Sequence, residues 1–588
     1  MGIILLLAQF NMCDTADSAQ NGETSEPEEE QTDTIAVTQE FSETPSGLAE
    51  AARLGQRFPA SDFYTTGLYL PAGSQITLNT EIIQPGSGTP LLLIGTYSRY
   101  EDKWNPTQID LYSGETVVQA DQGGLLYIRY HSEDATEPAG EVEITFEGEL
   151  VRAPHFIRGE TTNNDWQEML DEYDQAPDVI LESDYGIIVA SRDHALQYRD
   201  ENQEELLNIL DRVFEAEFYI SGLDGSDPKH EFNTHKILLT ETDMENTFMA
   251  ATWYRTWYHR SVVSHILTAD GLGVDGWGPW HEIGHMHQQG AWTWDTLGEV
   301  TVNIYSLAAE RELGLPESRL TRDGVWSDVA AFFSLPDDER DFNSSASGDW
   351  VRLAMFHQLW LAYGDEFYHE LHKVTREEQA DWDSRPEQMR YFMLKASEIA
   401  GRDLAEFFRT WGFLVDESVY DEIKALGFPQ PEQDLAALTD DPNFEFPEEN
   451  PLSVVDFSSE ETEGEGGTNG RASRVADGIT GTYWHSRWTE DPAEYPHFLT
   501  LELSEPGTIN GVTFVQRDNG QRHVEEIEIF ISADGDEWES MGSYTLESTT
   551  EPQSIEFDDS LMMQQVKIEM NSSHDGDIFA AMDEISVF

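Results

Sequence analysis

The stretch His281-Glu282-Ile283-Gly284-His285 combines residue types and a spacing that can bind a metal ion. Side chains four residues apart lie on one face of a helix, so the two imidazoles can reach the same ion. This is the HExxH arrangement, in which both histidines bind zinc and the intervening glutamate acts as a general base rather than as a ligand. We therefore predict His281 and His285 as zinc ligands and Glu282 as the catalytic base that activates a water molecule.

A catalytic zinc needs a third protein ligand and leaves a fourth position for water. Glu299 follows His285 by fourteen residues and lies near the start of a segment with apolar residues at helical spacing, Gly298 to Leu313. We predict Glu299 as the third ligand. The alternatives are Asp295, in the connecting segment, and His287, which is two positions from His285 and points elsewhere on a regular helix.

The residues around the motif predict where the metal-binding helix begins and ends. Gly278 and Pro279 interrupt the chain just before it, and proline is tolerated in the first turn of a helix. Residues 290–293 then predict a break before the second helix. The motif and Glu299 are thus expected on two consecutive helices.

The hydrophobic patterns divide the chain of 588 residues into blocks. Short strand-like runs separated by Gly, Pro and Asn precede and follow a long region of helical periodicity. We predict a multidomain protein with an N-terminal β-sandwich, a largely α-helical catalytic domain and a C-terminal β-sandwich of jelly-roll type. The predicted parts are a signal or lipoprotein remnant at 1–13, a disordered acidic tether at 14–50, the N-terminal sandwich at 51–150, the catalytic domain at 151–428, a linker at 429–452 and the C-terminal domain at 453–588.

Acidic residues dominate the composition, because 114 aspartates and glutamates oppose 33 lysines and arginines, for a formal net charge of −81. A charge of this sign and size repels nucleic-acid phosphates and anionic membrane surfaces, so we exclude nucleic acid as a partner. Since the carboxylates are spread through every segment and lysine is scarce, the composition predicts a salt-adapted, halophilic protein. The alternative is an ordinary acidic secreted protein.

The N-terminus predicts export. The apolar run before Cys13 is too short to span a bilayer, but it is typical of the end of a signal peptide. Cys13 is a candidate for the lipid-modified residue of a bacterial lipoprotein, although no basic residue precedes the run and Asn11-Met12 are not the small residues expected there. We expect an extracellular or cell-surface location, with membrane contact only through such a lipid anchor. The single cysteine excludes an intramolecular disulfide.

Four ordered segments resemble the M60-like, or enhancin-like, zinc metallopeptidases. They are 66–73, 277–288 around the HExxH motif, 298–306 around the predicted third ligand, and 407–412. The resemblance spans about Phe63 to Leu426 and implies a zincin fold of the gluzincin type with Glu282 as the base. The zinc ligands that it implies are His281, His285 and Glu299. Members of this family cleave heavily O-glycosylated proteins such as mucins, so the resemblance also implies a glycoprotein substrate.

Further residues near the motif are candidates for supporting roles. Asn303, one turn after Glu299, either orients a zinc ligand or is simply a polar residue on the helix surface. The candidates for a second hydrogen-bond donor to the oxyanion are Tyr305, Tyr258 and His259. Tryptophans crowd this region, and for most of them a place in the core is expected. Trp292 and Trp294 flank the turn after the motif, so we predict them as stacking surfaces for glycans.

The C-terminal block resembles the F5/8 type C, or discoidin-like, domain, which is also met as a family 32 carbohydrate-binding module. The resemblance rests on residues 470–488, 499–503, 527–538 and 583–588. In that family an Asp-Gly loop and a terminal glutamate help to hold a structural calcium ion, which implies as its ligands Asp477, Thr482 and Glu584. Sugar contacts come from loops at one end of the sandwich, which implies as glycan-binding residues His485, Trp488, Arg517 and Asn519.

Two functions from different classes are compatible with these patterns. The first is a secreted zinc endopeptidase that acts on glycoproteins and carries a glycan-targeting module. The second is a non-catalytic adhesin that binds glycans through its C-terminal module. The complete set of two histidines and two glutamates favours the peptidase, because a decayed enzyme is expected to have lost at least one of the four.

Overall fold

The computed structural model describes residues 35–132, 138–336, 339–344, 347–446, 452–465, 469–479, 481–489 and 491–588. An N-terminal sandwich, a mixed sheet with helices, and a C-terminal sheet unit follow one another along the chain. The predicted remnant at 1–13 and the first part of the predicted tether lie outside the described residues. Within those ranges, the structure has no helix that is both long and apolar enough to cross a membrane.

The N-terminal unit is a β-sandwich of two sheets. Its strands are β1 (Ile35–Ser42), β2 (Thr44–Pro45), β3 (Tyr64–Leu70), β4 (Gln75–Gln84), β5 (Leu91–Ile94), β6 (Thr107–Asp110), β7 (Gly114–Gln119), β8 (Gly124–Arg129), β9 (His131–Ser132), β10 (Glu141–Gly148) and β11 (Val151–Arg152). One sheet has the order β1-β10-β4-β7 and the other β11-β3-β8-β5-β6. Alternate side chains of each strand face inward, so that Leu78, Ile128 and Phe146 meet in one core.

The sandwich begins earlier in the chain than the sequence predicts. β1 pairs with β10 along its whole length, and α1 (Gly47–Leu54) follows, with the Ser46 hydroxyl accepting a hydrogen bond from Ala49 N at its start. The prediction of a disordered tether is therefore wrong for residues 35–50. β1 buries little of its surface, and its apolar residues alternate with polar and acidic ones. Its sequence pattern therefore indicates a strand only weakly.

A six-stranded mixed sheet follows, which the helical periodicity of this region does not predict. Its strands are β12 (His155–Ile157), β13 (Asp178–Glu182), β14 (Gly186–Ser191), β15 (Ile237–Thr242), β16 (Met249–Thr252) and β17 (Arg255–His259), in the order β12-β13-β14-β15-β17-β16. One face packs on the N-terminal sandwich through Ile180, Val189 and Leu238, and the other face packs on helices through Leu181 and Ile188. Strands buried on both faces are continuous apolar runs, which periodicity alone cannot distinguish from a buried helix.

The helices around this sheet and beyond it confirm the largely helical character of the predicted catalytic domain. They are α2 (Asn163–Glu172), α3 (Arg192–Gln197), α4 (Gln203–Ile220), α5 (Ser264–Leu267), α6 (Ala269–Gly273), α7 (Trp277–Gly284), α8 (Gly298–Glu312), α9 (Arg319–Arg322), α10 (Val325–Phe333), α11 (Asp349–Tyr363), α12 (Asp365–Glu378), α13 (Arg385–Ala400), α14 (Ala405–Thr410) and α15 (Glu417–Ala425). α8 is central, because it packs against α4, α7 and α11. Gly364 and Gly401, both with positive φ, separate α11 from α12 and end α13.

Residues 429–446 pack on the helical region and do not form the predicted linker. Leu435 and Ala436 are buried in the helical core. Asp440 accepts hydrogen bonds from Trp326 Nε1 and Thr321 Oγ1, each at 2.9 Å. The composition of the segment, rich in Pro, Asp and Glu, conceals this packing because only a few of its residues are apolar. Residues 447–451 lie outside the described ranges.

The C-terminal unit is formed mainly by one sheet that folds over a core of its own, in agreement with the predicted β-sandwich. Its strands are β18 (Leu452–Phe457), β19 (Trp484–His485), β20 (His497–Val515), β21 (Glu526–Ser532), β22 (Glu539–Thr545), β23 (Gln553–Met570), β24 (Ala581–Met582) and β25 (Glu584–Val587). The main sheet has the order β18-β20-β23-β21-β22, with β25 paired to β20. Trp484, Phe514 and Ile568 are fully buried between its layers.

The C-terminal unit docks on the helical region through Arg474, which is fully buried. Its Nη1 donates to Ala331 O at 2.6 Å and to Asp477 Oδ2 at 3.1 Å, and it also contacts Ser334 Oγ. Ile479 packs beside it on the helical region. A buried guanidinium is tolerated because the carboxylate and the carbonyl replace the water that it loses.

Arg474→Ala is expected to weaken this docking by about 3 kcal/mol, because the Asp477 carboxylate then stays buried without its cation. Arg471→Ala is the matched control; it removes a partly exposed pair with Glu339 and is expected to cost less than about 1 kcal/mol. Scanning calorimetry should show the C-terminal unit unfolding in a separate, earlier transition for the Arg474 variant alone. Superimposable melting curves for the two variants would contradict the role of Arg474.

Candidate metal centre

The HExxH motif lies on α7, which packs directly on α8. Gly284 permits this close approach, because a Cβ atom at that position would lie 2.9 Å from Val302 O and 3.2 Å from Tyr305 Cβ. α7 ends at Gly284, and His285 follows with φ and ψ still helical. The two histidines therefore keep the one-turn separation that a shared ligand requires.

The structure brings His281, His285 and Glu299 together. Glu299 Oε2 lies 3.0 Å from His281 Nε2 and 3.5 Å from His285 Nε2. In the described part of the chain, this is the one group of three or more His, Cys, Asp or Glu side chains that can hold a metal ion, with all ligand atoms within 4.8 Å of one another. Two imidazole nitrogens and one carboxylate are the donor set of a catalytic zinc, so the residues present fit this ion.

The far side of each imidazole is held by a side-chain amide. Asn303 Oδ1 lies 2.8 Å from His281 Nδ1, and Gln288 Oε1 lies 2.8 Å from His285 Nδ1. Each Nδ1 therefore donates its proton to an amide oxygen, and each Nε2 is the ring nitrogen that faces Glu299 and would bind a metal ion. Asn303 thus lies where ligand orientation requires it. Gln288 was not foreseen, although its position three residues after His285 on a helical turn is the signal for such a contact.

The side-chain amides of Asn303 and Gln288 are themselves held by hydrogen bonds to α8. Asn303 Nδ2 donates to Glu299 O at 2.9 Å. Gln288 Nε2 donates to Gly298 O at 2.8 Å and to Thr301 Oγ1 at 2.9 Å. These bonds determine which end of each amide faces the histidine, because the NH₂ groups are committed to α8. The orientation of both imidazoles is therefore set by α8.

Glu282 follows His281 on α7. Its side chain is buried, and burial raises the pKa of the carboxyl above its usual value. The nearby His281 and His285 oppose this effect, and the charge of Glu299 adds to it. Hydrogen bonds from the same two histidines hold the pKa of Glu299 well below its usual range. The pKa shifts thus make Glu299 a carboxylate that stays anionic and can bind a cation, and make Glu282 the more easily protonated of the two.

The two alternative third ligands lie elsewhere. Asp295 forms a surface ion pair with Arg385, with both carboxylate oxygens engaged. His287 is buried behind the motif, where its Nε2 lies 3.6 Å from Glu217 Oε2. Neither residue belongs to the cluster that can hold a metal ion.

The three candidates for the oxyanion donor have different environments. The Tyr305 hydroxyl is buried, donates to His287 O at 2.9 Å and also contacts His372 Nε2 at 2.9 Å. His259 Nδ1 contacts Ser261 Oγ at 2.7 Å. Tyr258 is fully buried, and the charge of Glu282 adds to the effect of burial in raising the pKa of its hydroxyl. No contact in the described residues assigns the oxyanion role to one of them.

The predicted glycan contacts of Trp292 and Trp294 are wrong. Trp292 is 0% exposed and Trp294 is 1% exposed. Trp292 packs on His372, and Trp294 donates its Nε1 proton to Asn343 Oδ1 at 2.6 Å. The turn after the motif is covered by the helical core, which is the ordinary place for large aromatic side chains.

The three predicted calcium ligands lie at one loop. Asp477 Oδ1 accepts from Thr482 Oγ1 at 2.8 Å, and Glu584 Oε2 accepts from Gly478 N at 3.1 Å. These oxygens are of the type that calcium binds. The second Asp477 oxygen is already engaged by Arg474, so only part of this carboxylate is available to an ion. Calcium binding stays a prediction.

The predicted glycan-binding end of the C-terminal unit is organised by Glu465, which the sequence did not single out. Its carboxylate accepts from Trp488 Nε1 at 2.7 Å and from Arg517 Nη2 at 2.9 Å. Trp488 is 39% exposed and Asn519 is exposed, so both can meet a ligand. His485 is buried, with only 3% of its surface exposed, and the structure does not support it as a direct glycan contact.

Comparison with known proteins relates this geometry to families and folds. Residues 149–412 match the family described as peptidase M60, enhancin and enhancin-like, residues 47–145 match the N-terminal domain of M60-like peptidases, and residues 455–585 match the F5/8 type C domain. A crystal structure of a functionally unknown conserved protein mutant from Bacillus anthracis is 25% identical with a TM-score of 0.63, over 80% of this chain and 97% of that one.

Two further similarities have lower sequence identity. The M60 catalytic domain of Clostridium perfringens ZmpC, solved in complex with the sialyl T antigen, is 18% identical with a TM-score of 0.60, over 93% of this chain and 99% of that one. This is a likeness of fold. TRPM8 channel-associated factor 3 of Rattus norvegicus is 24% identical over 395 residues, 62% of this chain. The chain spans about 40% of the length of that relative.

Asn303→Ala is expected to lower the affinity for zinc by about 10- to 100-fold, because His281 then loses the amide that fixes its tautomer. The control is Ser306→Ala, which removes only a long contact of 3.3 Å to the same amide oxygen. Competition with a chelating dye measures the affinity. Equal affinities of the two variants would refute an orienting role for Asn303.

Gly284→Ala is expected to destabilise the folded protein by about 1–3 kcal/mol, because the added methyl group overlaps α8. Gly290→Ala is the control, since a Cβ there meets nothing within 4 Å. Chemical denaturation of both variants gives the free energies of unfolding. If Gly284→Ala is as stable as the control, the close helix contact does not constrain this position.

Proposed function

The chain belongs to the M60-like metallopeptidases, and we propose that it is a zinc endopeptidase that hydrolyses peptide bonds in O-glycosylated, mucin-like proteins outside the cell. The observation that carries the proposal is the convergence of His281 Nε2, His285 Nε2 and Glu299 Oε2 beside the buried Glu282. The matches to the M60-like family, at residues 47–145 and 149–412, together cover more than half of the chain and include all four residues.

The roles of these residues follow from their geometry. His281, His285 and Glu299 would hold the zinc ion, which when bound acidifies water and stabilises negative charge on the carbonyl oxygen. Glu282 accepts a proton from the attacking water and returns it to the amine that leaves. Burial raises the pKa of the Glu282 carboxyl, which makes it a better acceptor for the proton of the attacking water. Asn303 and Gln288 keep both imidazoles in one orientation throughout.

A glycosylated substrate is supported by two independent features. The C-terminal unit matches the F5/8 type C domain, and its exposed Trp488 and Asn519, with Arg517 beside them, offer a stacking surface and hydrogen-bonding groups at one end. The ZmpC catalytic domain, which shares the fold, was solved with the sialyl T antigen. We propose that the C-terminal unit binds glycans and that Asp477, Thr482 and Glu584 bind a structural calcium ion.

The cellular location is proposed from composition. A net charge of −81 suits a protein that stays hydrated in concentrated salt, and the apolar N-terminal run with Cys13 is typical of an exported protein. We propose an extracellular or surface-attached enzyme of a salt-rich environment. The N-terminal residues that carry this proposal lie outside the described ranges.

Glu282→Gln is expected to lower kcat by at least about 10²- to 10⁴-fold, because an amide cannot take the proton from water, while zinc stays bound. The measurement compares the zinc-loaded native chain and the variant at high salt on an O-glycosylated mucin and on the same mucin after deglycosylation. A zinc determination on the variant is the control, since retained metal excludes loss of the site. Removal of zinc with a chelator should abolish cleavage, and added zinc should restore it.

The outcomes separate the two functions. If the native chain cleaves neither form of the mucin, the peptidase proposal fails, and binding of the intact mucin would then favour the adhesin. If it cleaves both forms at equal rates, a requirement for the glycan is excluded. Cleavage of the glycosylated form alone supports the whole proposal.

A further inference from the structure

Arg376 on α12 is a buried cation whose hydrogen-bond partners are all neutral. It is 3% exposed, and its Nε donates to His230 Nδ1 at 3.2 Å while its Nη2 donates to Gly222 O at 3.0 Å. Among the residues that the structure describes, Nη1 has no hydrogen-bond partner, and no carboxylate lies within ion-pair distance of the guanidinium. The chain has 114 acidic residues against 33 lysines and arginines, so a buried arginine without a carboxylate partner is unexpected.

The carboxylates whose charges act on Arg376 are engaged by other groups. Asp224 Oδ2 accepts from Lys373 Nζ at 2.7 Å, and Glu377 Oε1 accepts from His230 Nε2 at 3.2 Å. Burial lowers the pKa of the Arg376 guanidinium to about 10, and the attraction of these two carboxylates does not offset that effect. The positive charge of Arg376 therefore lacks a direct counter-ion in the part of the protein that the structure describes.

Arg376 lines a cavity of about 330 Å³ between the ends of α1 and α12. Arg57 also lines this cavity, is exposed, and forms no ion pair with a described carboxylate. Its guanidinium lies 5.2 Å from the ring centroid of Phe58. Asp381, which is exposed, is the one acidic residue of the lining. Two cations and one carboxylate thus surround this space, in a protein whose net charge is −81.

The cavity lies where three segments of the chain meet. Gly55 ends α1 with φ of +66°, and a Cβ there would lie 2.7 Å from Gln289 Oε1 and 3.8 Å from Arg376 Cγ. Gln289 Nε2 donates to Leu54 O at 3.0 Å, which joins α1 to the turn after the metal-binding motif. Gly290 in that turn also lines the cavity. A group bound here would therefore contact α1, α12 and the turn together.

We propose that this cavity binds a small monovalent anion, namely chloride, through the N–H groups of Arg376 and Arg57; the site is independent of the peptidase reaction. A guanidinium has only donors, and its free N–H groups can bind an anion directly. The two cations and Asp381 leave one net positive charge, which matches a monovalent ion better than a phosphate or a sulfate. A water molecule takes up about 30 Å³, so the cavity has room for the ion and several waters. The bound ion supplies the counter-charge that Arg376 lacks.

The first test measures the chlorine NMR line width of sodium chloride in the presence of the full zinc-loaded chain, because bound chloride loses its symmetrical hydration and its signal broadens. The native chain is expected to give an excess width that saturates with chloride. Arg376→Gln should abolish this excess, and Arg57→Gln should weaken the affinity for chloride about fivefold or more. Arg192→Gln is the matched control, because Arg192 also donates to a backbone carbonyl, that of Leu170, but lies outside this cavity.

The second test measures urea unfolding in sodium chloride and in sodium gluconate at equal sodium concentrations. An anion that binds only the folded chain lowers the unfolding equilibrium constant about tenfold for each tenfold rise in its concentration above the dissociation constant. The native chain and Arg192→Gln should show this dependence on chloride, whereas Arg376→Gln should respond alike to both salts. If Arg376→Gln does not fold, Arg57→Gln still decides, because its side chain is exposed and its loss leaves the core intact.

The outcomes separate chloride from the other occupants of the cavity. Equal line widths and equal salt responses for the native chain and the variants of Arg376 and Arg57 would show that water alone fills it, and would overturn the proposal. Sodium acetate added as a competitor distinguishes a carboxylate group from an inorganic ion. If acetate removes the excess line width at concentrations well below that of chloride, the site selects carboxylates and the assignment to chloride is wrong. Neither test measures cleavage, so both stand whether or not the chain is a peptidase.

Discussion

The contact between α7 and α8 closes to van der Waals distance because Gly284 has no side chain. The metal centre is divided between the two helices: α7 and His285 directly after it supply two imidazoles and Glu282, and α8 supplies Glu299 and Asn303. Neither half can bind zinc as a catalytic site alone, since three ligands and an open position are required. The remaining architecture serves to keep these two helices at this separation.

The mixed sheet and the two layers that cover it, the N-terminal sandwich and the helices, hold α7 and α8 in place. Because the sheet is buried on both faces, it can move relative to neither the N-terminal sandwich nor the helices without opening a packed core. α8 is enclosed by α4, α7 and α11, so its position is determined on several sides. The metal centre therefore rests on a closely packed scaffold, and a preorganised site is the condition for effective electrostatic catalysis.

The parts of the site that could be predicted from sequence are those fixed by local spacing. His281 and His285 one turn apart, and Glu299 at the start of the next helical pattern, need only the geometry of helices. Gln288 was missed although it lies only three residues from His285, because hydrogen bonds to α8 that form on folding turn its amide oxygen toward the imidazole. Glu465 was missed because its partners Trp488 and Arg517 are 23 and 52 residues away in the sequence. The mixed sheet was not predicted, because strands that are buried on both faces lack the alternation of apolar and polar residues that indicates a strand. The prediction for Trp292 and Trp294 was wrong because the position of an aromatic residue beside a motif does not show whether its ring is buried or exposed.

The docking of the C-terminal unit through Arg474 has a consequence for how a long substrate is held. A module on a flexible tether samples many separations from the catalytic centre, and its contribution to binding falls as the tether lengthens. A module fixed by a buried arginine presents the loops that we propose to bind glycans at one separation from the metal centre. The metal centre and the C-terminal unit, held at a fixed distance, would select substrates by spacing. A substrate whose glycan and scissile bond match that distance gains from a high effective local concentration, and one with a different spacing does not. The density of sugars along a polypeptide, and not only their identity, would then decide where the chain is cut.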